Sequence, residues 1–253
     1  MPISTSNVFH FTSSSENIIS ILEHNFRPHF CLEDLTVIMP DSSNQADLVF
    51  AIPMVSFCDI PLSQVSPHLK RYGYYGIGLS KKWAIRSGLA PVIYVVRGSP
   101  LASTLYSIIL QLSTLPRDRN GNSLAIDSFH NLSTYLKPYE GTSPHDVTHA
   151  SQRFFDEREW RFVPDLTGRP HLYGLTKDEF LDKDKRTAAN SYLWNKSKLS
   201  FSPNDIKYII VRREDEILDM ICKIGYIKER FPDKQVQLLA SRIISYSQIR
   251  NDF

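Results

Sequence analysis

Pro53–Val96 reads PMVSFCDIPLSQVSPHLKRYGYYGIGLSKKWAIRSGLAPVIYVV. Its two ends, Met54–Ile60 and Pro91–Val96, are rich in β-branched and aromatic residues, as strands are. Between them Arg71–Gly78 packs three tyrosines and three glycines into eight positions. Glycine lets a backbone or a ligand approach closely, and tyrosine offers a ring face and a hydroxyl. The composition fits a turn beside a cleft that grips a flat polar ligand, and equally a crowded corner of a sheet. Leu62, Val65 and Leu69 have helical spacing, with Pro67 expected to limit that helix. Lys81–Ser87 reads as a second short helix, closed by Gly88.

Working outward, Asn7–Thr12 (NVFHFT) is an expected first strand. Ser14 or Ser15 then caps an amphipathic helix carrying Ile18, Ile19, Leu22 and Phe26. Residues 27–52 lack a clear period and read as a surface excursion that rejoins the sheet at Ile52, with a mobile loop over Asp41–Asp47. Downstream, Leu101–Leu115 and SLAIDSFHNLSTYL read as helices flanking a turn, RDRNGN. In FFDEREWRFVP (Phe154–Pro164), strand alternation places Glu157, Glu159 and Arg161 on one face, and Arg158, Trp160 and Phe162 on the other. Residues 165–198 read as a charged, irregular cap. Ile206–Val211 is a buried strand, Glu214–Arg230 a helix, and Val236–Ser241 and RIISYSQI close the chain.

The chain has 253 residues, 42% hydrophobic and 22% charged, which is a folded rather than a disordered composition. No internal repeat or long linker divides it, so 1–253 is expected to form a single domain. Within it, 1–164 is the core and 165–253 a cap plus a strand and helix that complete that core. A net charge of +2 argues against binding nucleic acid by bulk charge alone. Cys31, Cys58 and Cys222 form no CxxC pair, so neither a disulfide framework nor a zinc site is expected. The N-terminus lacks the pattern of a signal peptide, and no apolar run approaches the roughly 20 residues that span a bilayer. A cytoplasmic protein is expected.

Glu157 and Glu159 are the strongest chemical signal. Two carboxylates at i and i+2 of a strand share one space, where they can hold a ribose diol, stabilise a cation or act as a base. They can equally form an ionic ladder with Arg161 or Lys81. His10 can donate to a ribose or phosphate oxygen, or sit half-buried against backbone. Thr12 can face a ligand or brace the following helix. Tyr72, Tyr74 and Tyr75 can stack on a ligand ring or pack in the core; Ser56, Asp59 and His68 flank them, and Asp59 before Ile60-Pro61 can form an Asx-turn. His145 and His149 have metal-ligand spacing only if helical, and no metal is expected. No P-loop, GxGxxG, HExxH or GxSxG motif occurs.

The segments FHFT, IPMVSFCDIPLS, H-x3-YG-x-YGIGLSK-x-WA, PVIYV, LKPYEG and F-x-EREWRFVP resemble the AbiGi-like abortive phage-resistance family, from about His10 to Pro164, and the C-terminal pair IKYIIV and EILDMI also looks like that family. That family is described as the antitoxin half of a two-gene phage-defence system, which implies a cognate toxin as partner. A remoter similarity is to ADP-ribosyltransferases, including DarT-like enzymes that modify nucleic acid. It implies an α+β fold with a central mixed or antiparallel split sheet flanked by helices, and NAD as substrate. His10 would bind the adenosine-side ribose, and Tyr72 or Tyr75, or Ser56 in their place, would meet the nicotinamide. Glu159 would hold the ribose as positive charge develops, and Glu157 would orient the acceptor, either RNA or DNA or a protein.

Two expectations follow. One is an NAD-dependent mono-ADP-ribosyltransferase toxin of phage defence, with Glu159 and Glu157 catalytic and His10, Thr12, Ser56, Tyr72 and Tyr75 around the cofactor. The other is a non-enzymatic, antitoxin-like partner that neutralises a cognate toxin. The first requires His10, a tyrosine and Glu159 to converge on one pocket.

Overall fold

The alternation of NVFHFT is realised as a strand with Val8 on one face and Phe9 and Phe11 on the other. It sits near the middle of a nine-stranded mixed sheet. The computed structural model describes residues 4–40, 48–115, 124–142, 151–165, 174–227 and 231–252. In order these form β1 (Asn7–Thr12), α1 (Ser15–His24), β2 (His29–Asp34), β3 (Val49–Cys58), α2 (Ser66–Tyr72), β4 (Tyr75–Ser80), α3 (Lys81–Arg86), β5 (Ala90–Pro91) and β6 (Ile93–Val95). There follow α4 (Pro100–Ser113), α5 (Leu124–Ser133), β7 (Leu136–Pro138), β8 (Glu140–Thr142), β9 (Ser151–Arg153), β10 (Glu159–Phe162), β11 (Leu175–Thr176), α6 (Lys177–Leu181) and α7 (Lys183–Lys196). The chain closes with β12 (Ile206–Val211), α8 (Ile217–Tyr226), α9 (Asp233–Ala240), β13 (Ile243–Ser245) and α10 (Tyr246–Asp252). The loop at Asp41–Asp47, the RDRNGN turn and the His145/His149 pair lie outside the described residues.

The main path of the sheet is β13-β12-β4-β1-β3-β10-β5, antiparallel except for the β12–β13 pair. β1 and β3 meet at one pair, Phe9 with Cys58. The first half of β3 pairs instead with β2 and β11. The sheet therefore splits along β3. In the split the His10 imidazole donates through Nδ1 to the Ser56 carbonyl, 2.9 Å away. A carbonyl can only accept, which fixes the proton on Nδ1.

One face buries Val8, Ile77, Leu79 and Phe57 under α1, α3 and α8, with Trp83 fully enclosed. The other carries Phe9, Phe11, Cys58 and Ile210 under α2 and α10. Ser14 caps α1, accepting from the Asn17 amide.

Several expectations are corrected. The Tyr/Gly stretch is not one ligand-gripping turn: Arg71 and Tyr72 end α2 at the edge of a cleft, and from Tyr75 the chain is the central strand β4. A Cβ on Gly76 or Gly78 would lie 2.6 Å from a ring carbon of Phe11 or Phe9, so these glycines admit the two phenyl rings across the strand. Pro67 opens α2 rather than limiting it, because a missing N–H costs nothing in a first turn. Residues 29–34, read as excursion, are β2, whose polar alternation belongs to a strand with one wet face. PVIYVV is two short strands with different partners, β5 against β10 and β6 against β7. The cap is helical over α6 and α7, which pack Phe180 and Leu193 on Phe30 and Leu32. Among the described residues no helix is long and apolar enough to cross a membrane.

Candidate functional site

On the Phe9/Cys58 face, a cleft of about 920 Å³ opens between β3, α2, β7 and the segment before β10. Register decides which side chains reach it. Cys58 opposes both Phe9 and Glu159, and Ser56 opposes Arg161, so Ser56, Glu159 and Arg161 share this face. Glu157 arrives by another route. It ends a 3-10 turn, Phe154–Glu157, and Arg158 then adopts a left-handed conformation with φ 45°. The expected E-x-E alternation along one strand is thus corrected: only Glu159 is on β10. The one-residue twist nevertheless brings both carboxylates to one ammonium.

That ammonium is Lys137 on β7, whose Nζ donates to Glu159 Oε2 at 2.6 Å and to Glu157 Oε2 at 3.1 Å. Arg161 donates from Nε to Glu159 Oε1 at 2.7 Å and from Nη2 to Glu159 Oε2 at 3.2 Å. The same Nη2 reaches Glu33 Oε1 of β2 at 2.8 Å, and Nη1 the Thr134 carbonyl at 2.8 Å. Ser56 Oγ donates to Glu159 Oε1 at 2.7 Å. Tyr72, at the end of α2, donates its hydroxyl to Glu157 Oε1 at 2.6 Å, with Arg71 Nη1 3.3 Å from the same oxygen. Three carboxylates (Glu33, Glu157, Glu159) thus meet three cations (Arg71, Lys137, Arg161), and the cluster is neutral. Arg161 is 0% exposed and Lys137, Glu157 and Glu159 are 6–8% exposed, so the charges are desolvated and depend on one another.

Burial alone would raise the Glu159 pKa, but Arg161 and Lys137 outweigh it and hold the carboxyl well below its ordinary range. Burial would likewise depress Lys137 and Arg161, and the facing carboxylates push both above their usual values. The Tyr72 hydroxyl is pushed up by burial and then by Glu157, so it is a hydrogen-bond donor and not a phenolate. Glu159 accepts four hydrogen bonds, two on each oxygen, which fills the acceptor capacity of a carboxylate.

Of the residues expected around a cofactor, Glu159, Glu157, Ser56 and Tyr72 come together here. His10 does not join the carboxylates. It pairs with Ile77 on β4, which turns its ring to the opposite face from Glu159, against Phe26 at 5.2 Å and Phe57 at 5.6 Å. It nevertheless lines the same cleft as Tyr72 and Glu159. Burial lowers its pKa, so it is neutral. Thr12 also leaves the set, since its Oγ1 accepts from Asn17 Nδ2 of α1 at 2.7 Å. Tyr75 faces the α1 and α8 core, and its hydroxyl bonds Glu216. All three misplacements have one cause: in β1 and β4, positions 10, 12, 75 and 77 share a face that β10 devotes to Trp160 and Phe162. Asp59 forms no Asx-turn. Its carboxylate accepts from Lys81 at 2.6 Å and from Ser4 at 2.7 Å, tying the N-terminal segment to α3. Lys137 was missed as a participant, and its only signal was a lysine inside an otherwise strand-like LKP. Among the described residues no cluster of His, Cys, Asp and Glu is arranged to hold a metal ion.

Fold and site together define a mixed-sheet α+β protein built around a buried, charge-neutral ionic cluster beneath a cleft. A family model described as "Putative abortive phage resistance protein AbiGi, antitoxin" matches residues 24–212. The chain is 30% identical over 254 residues to "Abortive phage resistance protein AbiGi" of Lactococcus lactis subsp. cremoris, covering 90% of this chain and 99% of that relative. The chain belongs to the AbiGi family of abortive phage resistance. No solved structure matches it.

Proposed function

We propose that the chain serves abortive phage resistance as the antitoxin-side component, acting by binding a cognate toxin protein rather than by chemistry in its cleft. The observation that supports this is the saturation of Glu159. A carboxylate that must hold a ribose hydroxyl needs a free lone pair, whereas this one spends four acceptor sites on Ser56, Lys137 and Arg161. The family description as an antitoxin points the same way. The test is growth. Expressed alone, the chain should leave cells growing; co-expressed with its cognate toxin it should relieve the toxin's arrest. Growth arrest by the chain alone would sink this reading.

The second reading is NAD-dependent mono-ADP-ribosyl transfer, with RNA, DNA or a protein as acceptor. What favours it is the cleft of about 920 Å³, large enough for a dinucleotide, onto which Ser56, Tyr72, Glu157 and Glu159 open. His10 lines the same cleft with its Nδ1 held by the Ser56 carbonyl, and a ribose hydroxyl would have to displace Ser56 or Lys137 from Glu159. Purified protein incubated with NAD should then release nicotinamide when RNA, DNA or lysate is present, and Glu159→Gln should abolish the release. No release under any of these conditions removes this reading.

A further inference from the structure

Cys31, Leu32, Glu33 and Asp34 of β2 all line the cleft. Side chains of a strand alternate between faces, so four residues in a row can line one space only where the strand turns its edge to it. Leu32 shows this directly. Its side chain packs with Phe30, Phe180 and Leu193 on the far face, so it meets the cleft through its backbone. One edge of β2 is paired with β3, and the register fixes which groups point the other way. Phe30 opposes Pro53, which has no N–H, and the Phe30 amide donates outward to Asn190 Oδ1 at 3.0 Å. Antiparallel pairs alternate, so the amides and carbonyls of Leu32 and Asp34 point outward as well. Among the described residues no group pairs with either on that edge. Glu140, Gly141 and Thr142 of β8 form a second run of consecutive lining residues, and β8 is paired only with β9. Gln152, opposite Gly141, also lines the cleft, and its Nε2 is a buried donor without a partner.

We propose that the cognate toxin places an extended segment in this cleft, where it adds as a strand to the outer edge of β2 and one of its carbonyls accepts from Gln152. This rests on the antitoxin reading above and names the surface that reading leaves open. A row of outward main-chain donors and acceptors is matched by another extended main chain, which is why such edges recruit strands. The apolar side chains of Val37, Met54 and Phe154 in the same cleft give the segment's side chains a surface to cover. Charge selects among segments. The cluster of Glu33, Glu157 and Glu159 with Arg71, Lys137 and Arg161 is neutral. The other charged side chains lining the cleft are Asp34, Glu140 and Arg97, two acids against one base. A segment carrying a lysine or an arginine balances that excess, whereas a diphosphate would add to it.

Amide-resolved hydrogen exchange of the full chain, free and with the purified cognate toxin, reads the pairing. In the free chain Leu32 and Asp34 should exchange faster than Cys31 and Glu33, which the ladder with β3 protects. The toxin should slow Leu32 and Asp34 by about tenfold or more. Gln152→Leu keeps the bulk and removes the donor, and should weaken toxin binding by about fivefold. Glu140→Lys, at an exposed position, should weaken it by about tenfold, with unchanged far-UV circular dichroism. Tyr226→Ser, on the exposed side of α8 and absent from the cleft lining, should leave the affinity as it is. Toxin that binds while Leu32 and Asp34 exchange as before would overturn the proposal and leave the antitoxin reading standing. So would binding indifferent to both Gln152→Leu and Glu140→Lys. Leu32 and Asp34 already slow in the free chain would assign the edge to this chain itself or to a second copy, and slowing by NAD in place of the toxin would assign the cleft to a dinucleotide; either overturns it. No toxin binding, with growth left unprotected, sinks both readings together.

Discussion

Lys137 is placed where removing it is costly, since its ammonium is what separates two carboxylates that are themselves out of water. Replacing one member of such a cluster leaves uncompensated buried charge, worth about 3–5 kcal/mol. Lys137→Met should therefore lower the unfolding free energy measured in urea by that much, and Lys137→Met with Glu159→Gln should cost less than the sum of the two single changes. A second residue-scale prediction concerns acid. Burial lowers His68 from 6.5 to about 4, and lowers His10 as well. The unfolded chain therefore takes up these protons first, and stability falls as pH drops from 6.5 toward about 4. Glu159 acts later in the same direction: its folded pKa is depressed, so its contribution is complete above the unfolded value of 4.5 and is lost below it. His68→Phe keeps the ring packing on Tyr72, at 4.5 Å, and on Phe11. It should lessen the fall of the melting temperature between pH 6.5 and 4, leaving the part that His10 and His29 contribute, and an unchanged slope would refute the assignment. At this scale the sequence exposed the carboxylates and the alternation of β10. It could not expose Lys137, because nothing local distinguishes a buried lysine from a solvated one.

At the scale of elements, the lysine-rich DKDKR run shows how composition misleads. Read as irregular, it is the first turn of α7, because Asp182 accepts from the amides of Asp184 at 3.0 Å and Lys185 at 3.1 Å. Asp182→Ala should cost about 1 kcal/mol, seen as a lower melting temperature. A change within error would mean that packing of Leu193 alone holds the helix. Helices with local signals were legible: Ser14 before α1, the apolar period of α4, the amphipathic α8. Strands rich in β-branched and aromatic residues (β1, β3, β12) were legible too, but β2 and β4, whose composition makes sense only against their partners, were not. β2 looked aperiodic because its pattern is explained by β3, and β4 looked like a turn because its glycines answer Phe9 and Phe11 on β1.

For the whole molecule, the C-terminal strand is not an appendage. β12 covers β4 and joins the core beneath α8, so the chain up to residue 205 lacks the neighbour of its central strand. Truncation after Asp205 should abolish cooperative thermal unfolding. A truncated chain with a sharp transition would show that 206–253 is dispensable to the fold.

The residues themselves determined that this chain folds, where its long helices lie, that Ile206–Val211 is buried, and that the phage-resistance motifs run from His10 to Pro164 with a further pair from Ile206. These depend on neighbours within a few positions, where helix and strand periods differ. Only the tertiary structure decided which candidates meet. Side chains on a strand alternate between faces, so a register fixed by a distant partner sent His10, Thr12 and Tyr75 to one side and Ser56 and Glu159 to the other. A single left-handed residue, Arg158, returned Glu157 to the second group. No local pattern encodes either choice, because both are set by contacts between segments tens of residues apart.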